Sequence, residues 1–200
     1  DVISGEEEAH LSTVGVLSGV EVAAPLIIID IGGGSTELVV VEKSLTVSAS
    51  ISLQIGAVRV TERFLHADPR SDEEVASARA YIGEQLDETG VDFSRFRTAI
   101  GVAGTVTTFA ARELGLSEYD RLKVHETKLS REQIADATAH WLATPVAQIM
   151  QEPIMPELRA QVMGGGSLIL DEFASRVPDG EVLVSATDIL DGIALGLLEG

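Results

Sequence analysis

The strongest chemical signal in the sequence is a run of three glycines with a carboxylate near each end. Asp30 follows an aliphatic run, and Glu37 opens the next β-type run. A hairpin through the glycines places both acids at one end, where their oxygens can bind a hard cation. The bare glycine amides form a concave nest that suits phosphate oxygens. On the pattern alone, a plain glycine turn with two solvated acids is the commoner interpretation.

A second glycine-containing loop lies at Gly101-Val102-Ala103-Gly104-Thr105. There a predicted strand passes directly into the start of a predicted helix. Free amides and the helix dipole at such a start favour an anion. Thr105 as an ordinary N-cap uses the same amides, so the pattern leaves both interpretations open.

Other candidates are weaker. Glu6-Glu7-Glu8 reads as a solvated acidic face, although hydrolysis of a phosphoanhydride needs a carboxylate to orient a water molecule. Arg59 and Arg63, one turn apart on a short helix, are suited to phosphate or to the surface, and the surface is favoured for Arg63. Gly164-Gly165-Gly166 either lines a cleft or lets helices approach. The four histidines share no metal-ligand spacing.

Composition narrows the function. The net charge of −18 excludes a nucleic-acid module held by a basic face. It also repels a polyanionic substrate unless a metal, backbone amides or another domain offset the field. The absence of cysteine excludes thiol catalysis and thiolate metal sites. No leader peptide or long apolar run is present, so we expect a cytoplasmic protein without membrane contact.

The order of elements predicts an α/β fold. Three strands come first, at Leu26–Ile29, Thr36–Glu42 and Ser44–Leu53, and form an antiparallel meander. Helices dominate afterwards, with a strand at Thr98–Val102 and another at Glu181–Ser185. This order indicates a mixed sheet with helices on both faces.

Two predicted helices begin with capping-box spacing, Ser71 with Glu74 and Ser130 with Gln133. A further helix over Leu158–Phe173 contains the glycines at 164–166, which should interrupt it. A last helix is predicted at Asp188–Leu198.

Taken together, these motifs resemble the exopolyphosphatase/guanosine-pentaphosphatase family. The stretches that match in order are Val2-Ile3-Ser4-Gly5-Glu6-Glu7-Glu8-Ala9, Ile29-Asp30-Ile31-Gly32-Gly33-Gly34-Ser35-Thr36-Glu37-Leu38, Gly56-Ala57-Val58-Arg59-Val60-Thr61-Glu62-Arg63-Phe64 and Gly101-Val102-Ala103-Gly104-Thr105. The match spans nearly the whole chain, and its glycine motif is highly specific. With this match, the purely structural interpretations of these motifs, such as a plain glycine turn, an ordinary N-cap or a solvated acidic face, are no longer favoured.

The resemblance implies a ribonuclease-H-like domain of the actin, sugar-kinase and heat-shock ATPase superfamily. It implies that Glu8 is the catalytic base and that Asp30 and Glu37 bind a divalent cation, Mg²⁺ by expectation. The phosphate-binding residues implied are Gly32, Gly33, Gly34, Ser35, Thr36, Arg59, Gly101, Ala103, Gly104 and Thr105. The expected substrates are inorganic polyphosphate and guanosine pentaphosphate.

One element of the family is missing. Its first phosphate loop belongs to an N-terminal domain and occurs nowhere in the sequence, which agrees with the abrupt start at Asp1. We therefore expect residues 1–200 to be the second ribonuclease-H-like domain of a phosphatase, inactive alone and in some assemblies a homodimer. A kinase of the same superfamily and a non-catalytic alarmone or polyphosphate sensor are the competing interpretations.

Overall fold

A computed structural model describes residues 13–42 and 46–187 of the chain. These residues form a six-stranded mixed sheet with the order β3-β2-β1-β4-β6-β5. The strands are β1 (Leu26–Ile31), β2 (Thr36–Val41), β3 (Val47–Leu53), β4 (Thr98–Val102), β5 (Lys128–Leu129) and β6 (Val182–Val184). The first three are antiparallel, as the sequence predicts. Strands β1, β4 and β6 run parallel to one another.

Burial explains the composition of the strands. The central strand β1 is covered on both faces, so nearly all of its residues are aliphatic and buried. The edge strand β3 alternates between half-buried and exposed residues, because only one of its faces meets the core.

Helices cover both faces of the sheet. Residues 13–18 are helical and are called α1 here. The others are α2 (Ala57–Phe64), α3 (Asp72–Asp87), α4 (Ala103–Glu113), α5 (Arg121–Val124), α6 (Arg131–Ala143), α7 (Val146–Ile149) and α8 (Glu157–Ala174), with 3-10 turns at Phe93–Arg95 and Pro178–Gly180. None of the helices in the described ranges is both long and apolar enough to span a membrane.

Two hydrophobic clusters hold these layers together. The larger lies on the sheet face that α3, α4, α6 and α8 cover, and it includes Phe109 and Trp141 in edge-to-face contact. The smaller lies on the opposite face, where Val16 of α1 packs against Ile28, Val39 and neighbouring strand residues. The predicted α/β class, with helices on both faces, is confirmed.

The predicted helix starts at Ser71 and Ser130 are also confirmed, because both residues form complete capping boxes. The expected interruption of α8 is wrong, since this helix continues through Gly164–Gly166. The glycines let helices approach one another. A Cβ on Gly165 would lie 2.5 Å from the Ala57 carbonyl oxygen, and one on Gly166 would lie 2.7 Å from Thr105 Oγ1. The predicted helix at 188–198 lies outside the described residues.

Candidate active site

The parallel strands bring the two glycine loops to one edge of the sheet. Asp30 in β1 pairs with Val102 in β4, and Gly101 pairs with Val184 in β6. The loops that follow these three strands therefore leave the sheet side by side. In open α/β sheets, ligands usually bind at this end of the sheet, just beyond the carboxyl ends of the parallel strands. This end is called the carboxyl edge here.

The two predicted metal ligands are neighbours. Asp30 and Glu37 lie directly opposite each other in the antiparallel ladder, so both side chains point to the same face of the sheet. Ser52 lies opposite Glu37 on the next strand, and its hydroxyl donates to the Glu37 carboxylate at 3.0 Å. The carboxylates share the face that carries Ile28 and Val39.

This donor set fits a hard cation that keeps most of its water. Two carboxylates supply oxygen ligands, and Mg²⁺ in phosphate-handling sites typically takes one or two protein carboxylates with water and substrate oxygens. In the part of the chain that the structure describes, no group of three or more His, Cys, Asp or Glu side chains could hold a metal by itself. A cation here would therefore depend on ligands beyond the described acids.

The first glycine loop, residues 32–35, is docked on the start of α2 through its carbonyl groups. The Gly32 carbonyl accepts from Ala57 N at 2.9 Å, and the Gly33 carbonyl accepts from Val58 N at 2.9 Å and Arg59 N at 3.2 Å. These bonds satisfy amides that a helix start leaves without intrahelical partners. The α2 terminus is thus occupied by the protein's own loop.

This docking requires a glycine before the helix. A Cβ at Gly56 would lie 2.4 Å from the Gly33 carbonyl oxygen, so no other residue fits without moving the loop. The Arg59 side chain adds a second tie, because its Nε donates to the Gly34 carbonyl at 2.9 Å. The Gly33 and Gly34 amides are exposed and donate to no acceptor within residues 13–42 and 46–187.

The second glycine loop is built differently. The N-cap of α4 is Val102, and no side chain caps the helix, so the alternative interpretation of Thr105 as N-cap is wrong. Ala103 adopts a left-handed backbone conformation with φ of 68°. This conformation costs a non-glycine residue about 1 kcal/mol or more and concentrates at functional sites. An uncapped helix start behind a strained residue is a suitable place for an anion.

Arg159, from the first turn of α8, lies against this loop. A Cβ on Gly104 would be 2.4 Å from Arg159 Nη2, so the guanidinium occupies the space that a side chain would need. Its Nη1 donates to Thr108 Oγ1 at 3.0 Å. Partial burial desolvates the guanidinium and lowers the pKa of Arg159, although arginine stays charged at neutral pH.

No carboxylate neutralises Arg159 within the described residues, since its polar contact there is with a threonine hydroxyl. Several other half-buried arginines pair with carboxylates, as Arg79 does with Asp171 and Glu172 and Arg176 does with Glu172. A half-buried cation without a counter-charge creates a positive field that favours an anionic ligand.

A cavity of about 420 Å³ opens beside this loop, a volume within the range of small-molecule sites. Its walls come from four parts of the chain. They are formed by Ala103, Gly104, Thr107, Tyr119, Ile154, Pro156, Arg159, Ser185 and Ala186. The cavity therefore combines uncapped amides, one guanidinium and an aromatic ring.

The remaining predicted residues lie as follows. Ser35 closes the first loop through its carbonyl, which accepts from Gly32 N at 3.0 Å. Thr36 is fully buried and has no hydrogen-bond partner for its hydroxyl among the described residues. Thr36 alternates with Glu37 and points to the opposite face, so a phosphate contact there rests on its backbone. Glu8 lies outside the described residues.

The two arginines of α2 differ in environment. Arg63 is exposed and stacks over the Tyr81 ring at 4.3 Å from its centroid, which confirms the surface interpretation. Arg59 is tied to the first loop as described above, and its predicted phosphate contact stays a prediction. The buried side chain of Thr105 packs beside Gly166.

Sequence reasoning did not identify Arg159, Tyr119 or the Ser185–Ala186 segment. One weak signal existed, because Arg159 opens a largely apolar helix five residues before a glycine triplet. Nothing in the sequence indicates that it lies against Gly104, since the two are 55 positions apart and meet only through the packing of α4 on α8.

Comparisons with known proteins show the family to which the chain is similar. The model of the Ppx/GppA phosphatase family matches residues 1–199. Exopolyphosphatase 2 of Mycobacterium tuberculosis is 37% identical over 98% of this chain, and the chain spans 63% of that relative's length.

Solved structures are similar as well. An exopolyphosphatase-like protein superposes with a TM-score of 0.89 at 34% identity, over 98% of this chain and 66% of that one. The Ppx/GppA phosphatase of Aquifex aeolicus superposes with a TM-score of 0.91 at 28% identity, over 98% of this chain and 64% of that one.

Proposed function

The chain belongs to the Ppx/GppA phosphatase family, and on that premise we propose that it forms one half of the catalytic cleft of a phosphoanhydride hydrolase. The proposed enzyme releases terminal phosphate from inorganic polyphosphate, from guanosine pentaphosphate, or from both. An N-terminal domain outside these 200 residues would supply the other half. We also propose that the enzyme is cytoplasmic and that it can form a homodimer.

One observation carries this proposal. Two glycine loops and a carboxylate pair lie at the carboxyl edge of the same sheet, together with Arg159, which pairs with no carboxylate among the described residues. Phosphoryl transfer needs little covalent help from a protein and relies on positioning and electrostatic stabilisation. Amides and a guanidinium aimed at phosphate oxygens, next to oxygen ligands for a cation, supply both.

The proposed reaction is in-line attack of water on the terminal phosphorus. The new P–O bond forms as the bond to the bridging oxygen breaks. The products are orthophosphate and a phosphate chain that is one unit shorter. Glu8 accepts the proton of the attacking water. The amides of Gly33, Gly34 and Gly104 hold the phosphate oxygens, and Arg159 offsets their charge.

Asp30 and Glu37 would hold the divalent cation, Mg²⁺ or a similar ion. When bound, the ion would offset the negative charge of the substrate phosphates. The protein groups do the positioning. Ser52 keeps the Glu37 carboxylate oriented through the bond at 3.0 Å, a typical role for a neighbour of a metal ligand.

The proposal also accounts for the acidic surface. A net charge of −18 opposes the approach of a polyanion. The free amides and Arg159 are local positive elements at the carboxyl edge, and a bound divalent ion would offset the charge of Asp30 and Glu37. They guide a phosphate chain to this edge and leave the rest of the surface repulsive.

Orthophosphate release tests the proposal directly. The longer protein, with its N-terminal domain, is incubated with inorganic polyphosphate and separately with guanosine pentaphosphate, with and without Mg²⁺. We expect metal-dependent release from at least one substrate and little or none from the 200-residue chain alone. A Glu8→Gln variant should bind substrate without releasing phosphate. Full turnover by the isolated chain would refute the shared-cleft proposal.

The same assay separates the competing activities. Binding without release by the wild-type protein would show a sensor. Transfer of phosphate to an added sugar or acid, in preference to water, would show a kinase.

A further inference from the structure

One histidine joins two segments that are distant in sequence. His125, just after α5, contacts the Gly19 carbonyl oxygen through Nε2 at 2.9 Å. Its Nδ1 accepts a hydrogen bond from the Ala186 backbone N–H at 3.2 Å. The imidazole therefore bridges the end of α1 and the segment that follows β6.

These bonds determine which tautomer the neutral ring adopts. A backbone N–H can only donate, so Nδ1 must carry its lone pair. The proton of a neutral imidazole then lies on Nε2 and is donated to the Gly19 carbonyl. A second proton on Nδ1 would remove the acceptor and place two donors face to face.

The packing around the ring leaves no space for a side chain at position 19. A Cβ on Gly19 would lie 3.0 Å from both His125 Nε2 and Thr187 Oγ1. Thr187 Oγ1 in turn donates to the Val16 carbonyl at 3.5 Å. Arg121 holds the same segment from its own helix, because its Nε donates to the Ala186 carbonyl at 3.0 Å.

The segment that His125 holds is a wall of the cavity. Ser185 and Ala186 line the cavity together with Gly104 and Arg159. The Ser185 amide also donates to the Gly101 carbonyl at 2.9 Å, so movement of this wall would reach the second glycine loop.

We propose that His125 is a positioning residue of the active site: its neutral imidazole fixes the Ser185–Ala186 wall against α1 and so keeps the cavity beside Gly104 in shape. This inference rests on the proposed function for its effect on activity. The contacts that carry it stand independently of that function.

The test uses His125→Phe, which keeps a planar ring and removes both bonds, and His125→Asn, whose carbonyl can accept from the Ala186 amide. His66→Phe is the control, because His66 is exposed and does not line the cavity. Steady-state kinetics on inorganic polyphosphate and amide exchange of Ala186 by NMR are measured in the longer protein at pH 8.

For His125→Phe at pH 8 we expect KM to rise about 2- to 10-fold, the value of one lost hydrogen bond, with kcat almost unchanged. Exchange of the Ala186 amide should accelerate by a similar factor. His125→Asn should restore part of both quantities, and His66→Phe should match the wild type.

Unchanged Ala186 exchange in His125→Phe and His125→Asn would overturn the proposal. Faster exchange with an unchanged KM would also overturn it, because the bridge would then be structural only. If the wild type releases no phosphate from polyphosphate, the proposed function fails, and amide exchange still decides whether the bridge exists. If His125→Phe does not fold, His125→Asn measured against the wild type supplies the comparison.

Discussion

The two glycine loops look alike in sequence and differ in what they expose. The loop at 32–35 directs its carbonyl groups into the start of α2 and is tied by Arg59. The loop at 101–105 leads into α4 without any side-chain cap and faces the guanidinium of Arg159. The carbonyl groups of the first loop are therefore held by the protein, which leaves only its amides for a ligand, whereas the second loop presents an uncapped helix start and a guanidinium.

This difference shows what a glycine can mean in such a motif. Gly56 is required because another backbone segment occupies the space that a Cβ would need. At Gly104 the flexible guanidinium of Arg159 occupies that space. The first requirement concerns folding, since backbone cannot move aside cheaply. The second concerns the position of a charge. The variants below test whether the two loops separate in this way.

The largest effect on stability is expected from Gly56→Ala. The new Cβ would lie 2.4 Å from the Gly33 carbonyl oxygen and would push the first loop off α2. We expect the free energy of unfolding in urea to fall by about 2–4 kcal/mol. Gly34→Ala is the matched control, because its Cβ would meet nothing closer than 3.8 Å. Equal stability of both variants would mean that the docking does not hold the loop.

The next variant, Arg159→Met, addresses the second loop. It keeps the length of the side chain and removes its charge. The kcat/KM for polyphosphate should fall about 10- to 100-fold, the value of a charge-assisted hydrogen bond, while stability in urea stays the same or rises slightly. Arg63→Met, at an exposed stacked arginine, should leave kcat/KM unchanged. Wild-type activity of Arg159→Met would show that the Arg159 guanidinium does not contribute to the active site.

A smaller effect is expected from Gly104→Ala. Its Cβ would displace the Arg159 guanidinium, which is the flexible end of a side chain and can move. We expect kcat/KM to fall about 3- to 10-fold, on the order of one weakened hydrogen bond. In an Arg159→Met background the same change should have almost no further effect, as a double-mutant cycle would show. Additive effects would mean that the Gly104 substitution acts independently of the Arg159 side chain.

The smallest effect is expected from Arg59→Met, which removes the Nε tie to Gly34. This bond is exposed, so we expect a loss of about 0.5–1 kcal/mol in stability and faster amide exchange around Gly34. A fall in kcat/KM as large as that of Arg159→Met would show that Arg59 binds substrate directly. In that case the first loop would be a ligand site of equal weight.

Much of the fold could be predicted from local sequence. Aliphatic runs predicted β1 and β2, and the serine-initiated capping boxes predicted the starts of α3 and α6. Both signals depend on residues within one turn or one strand of each other. The glycines at 164–166 misled for the same reason, because their effect on α8 depends on α2 and Thr105, which lie far away in sequence.

The carboxylate pair was also predictable, because a hairpin brings Asp30 and Glu37 together within eight residues. Arg159 was not predictable, since its significance lies in the missing Cβ of a glycine on another helix. The bridge formed by His125 was missed in the same way. Its two partners, Gly19 and Ala186, are 106 and 61 positions away along the chain.

Local sequence alone determined the order of the elements, the placement of the acids on one hairpin and the existence of two glycine loops, because these follow from neighbours in the chain. Only the tertiary structure decided which loop is docked and which is open. Carbonyl groups and amides are identical in every glycine loop, and what they face depends on which helix packs against them.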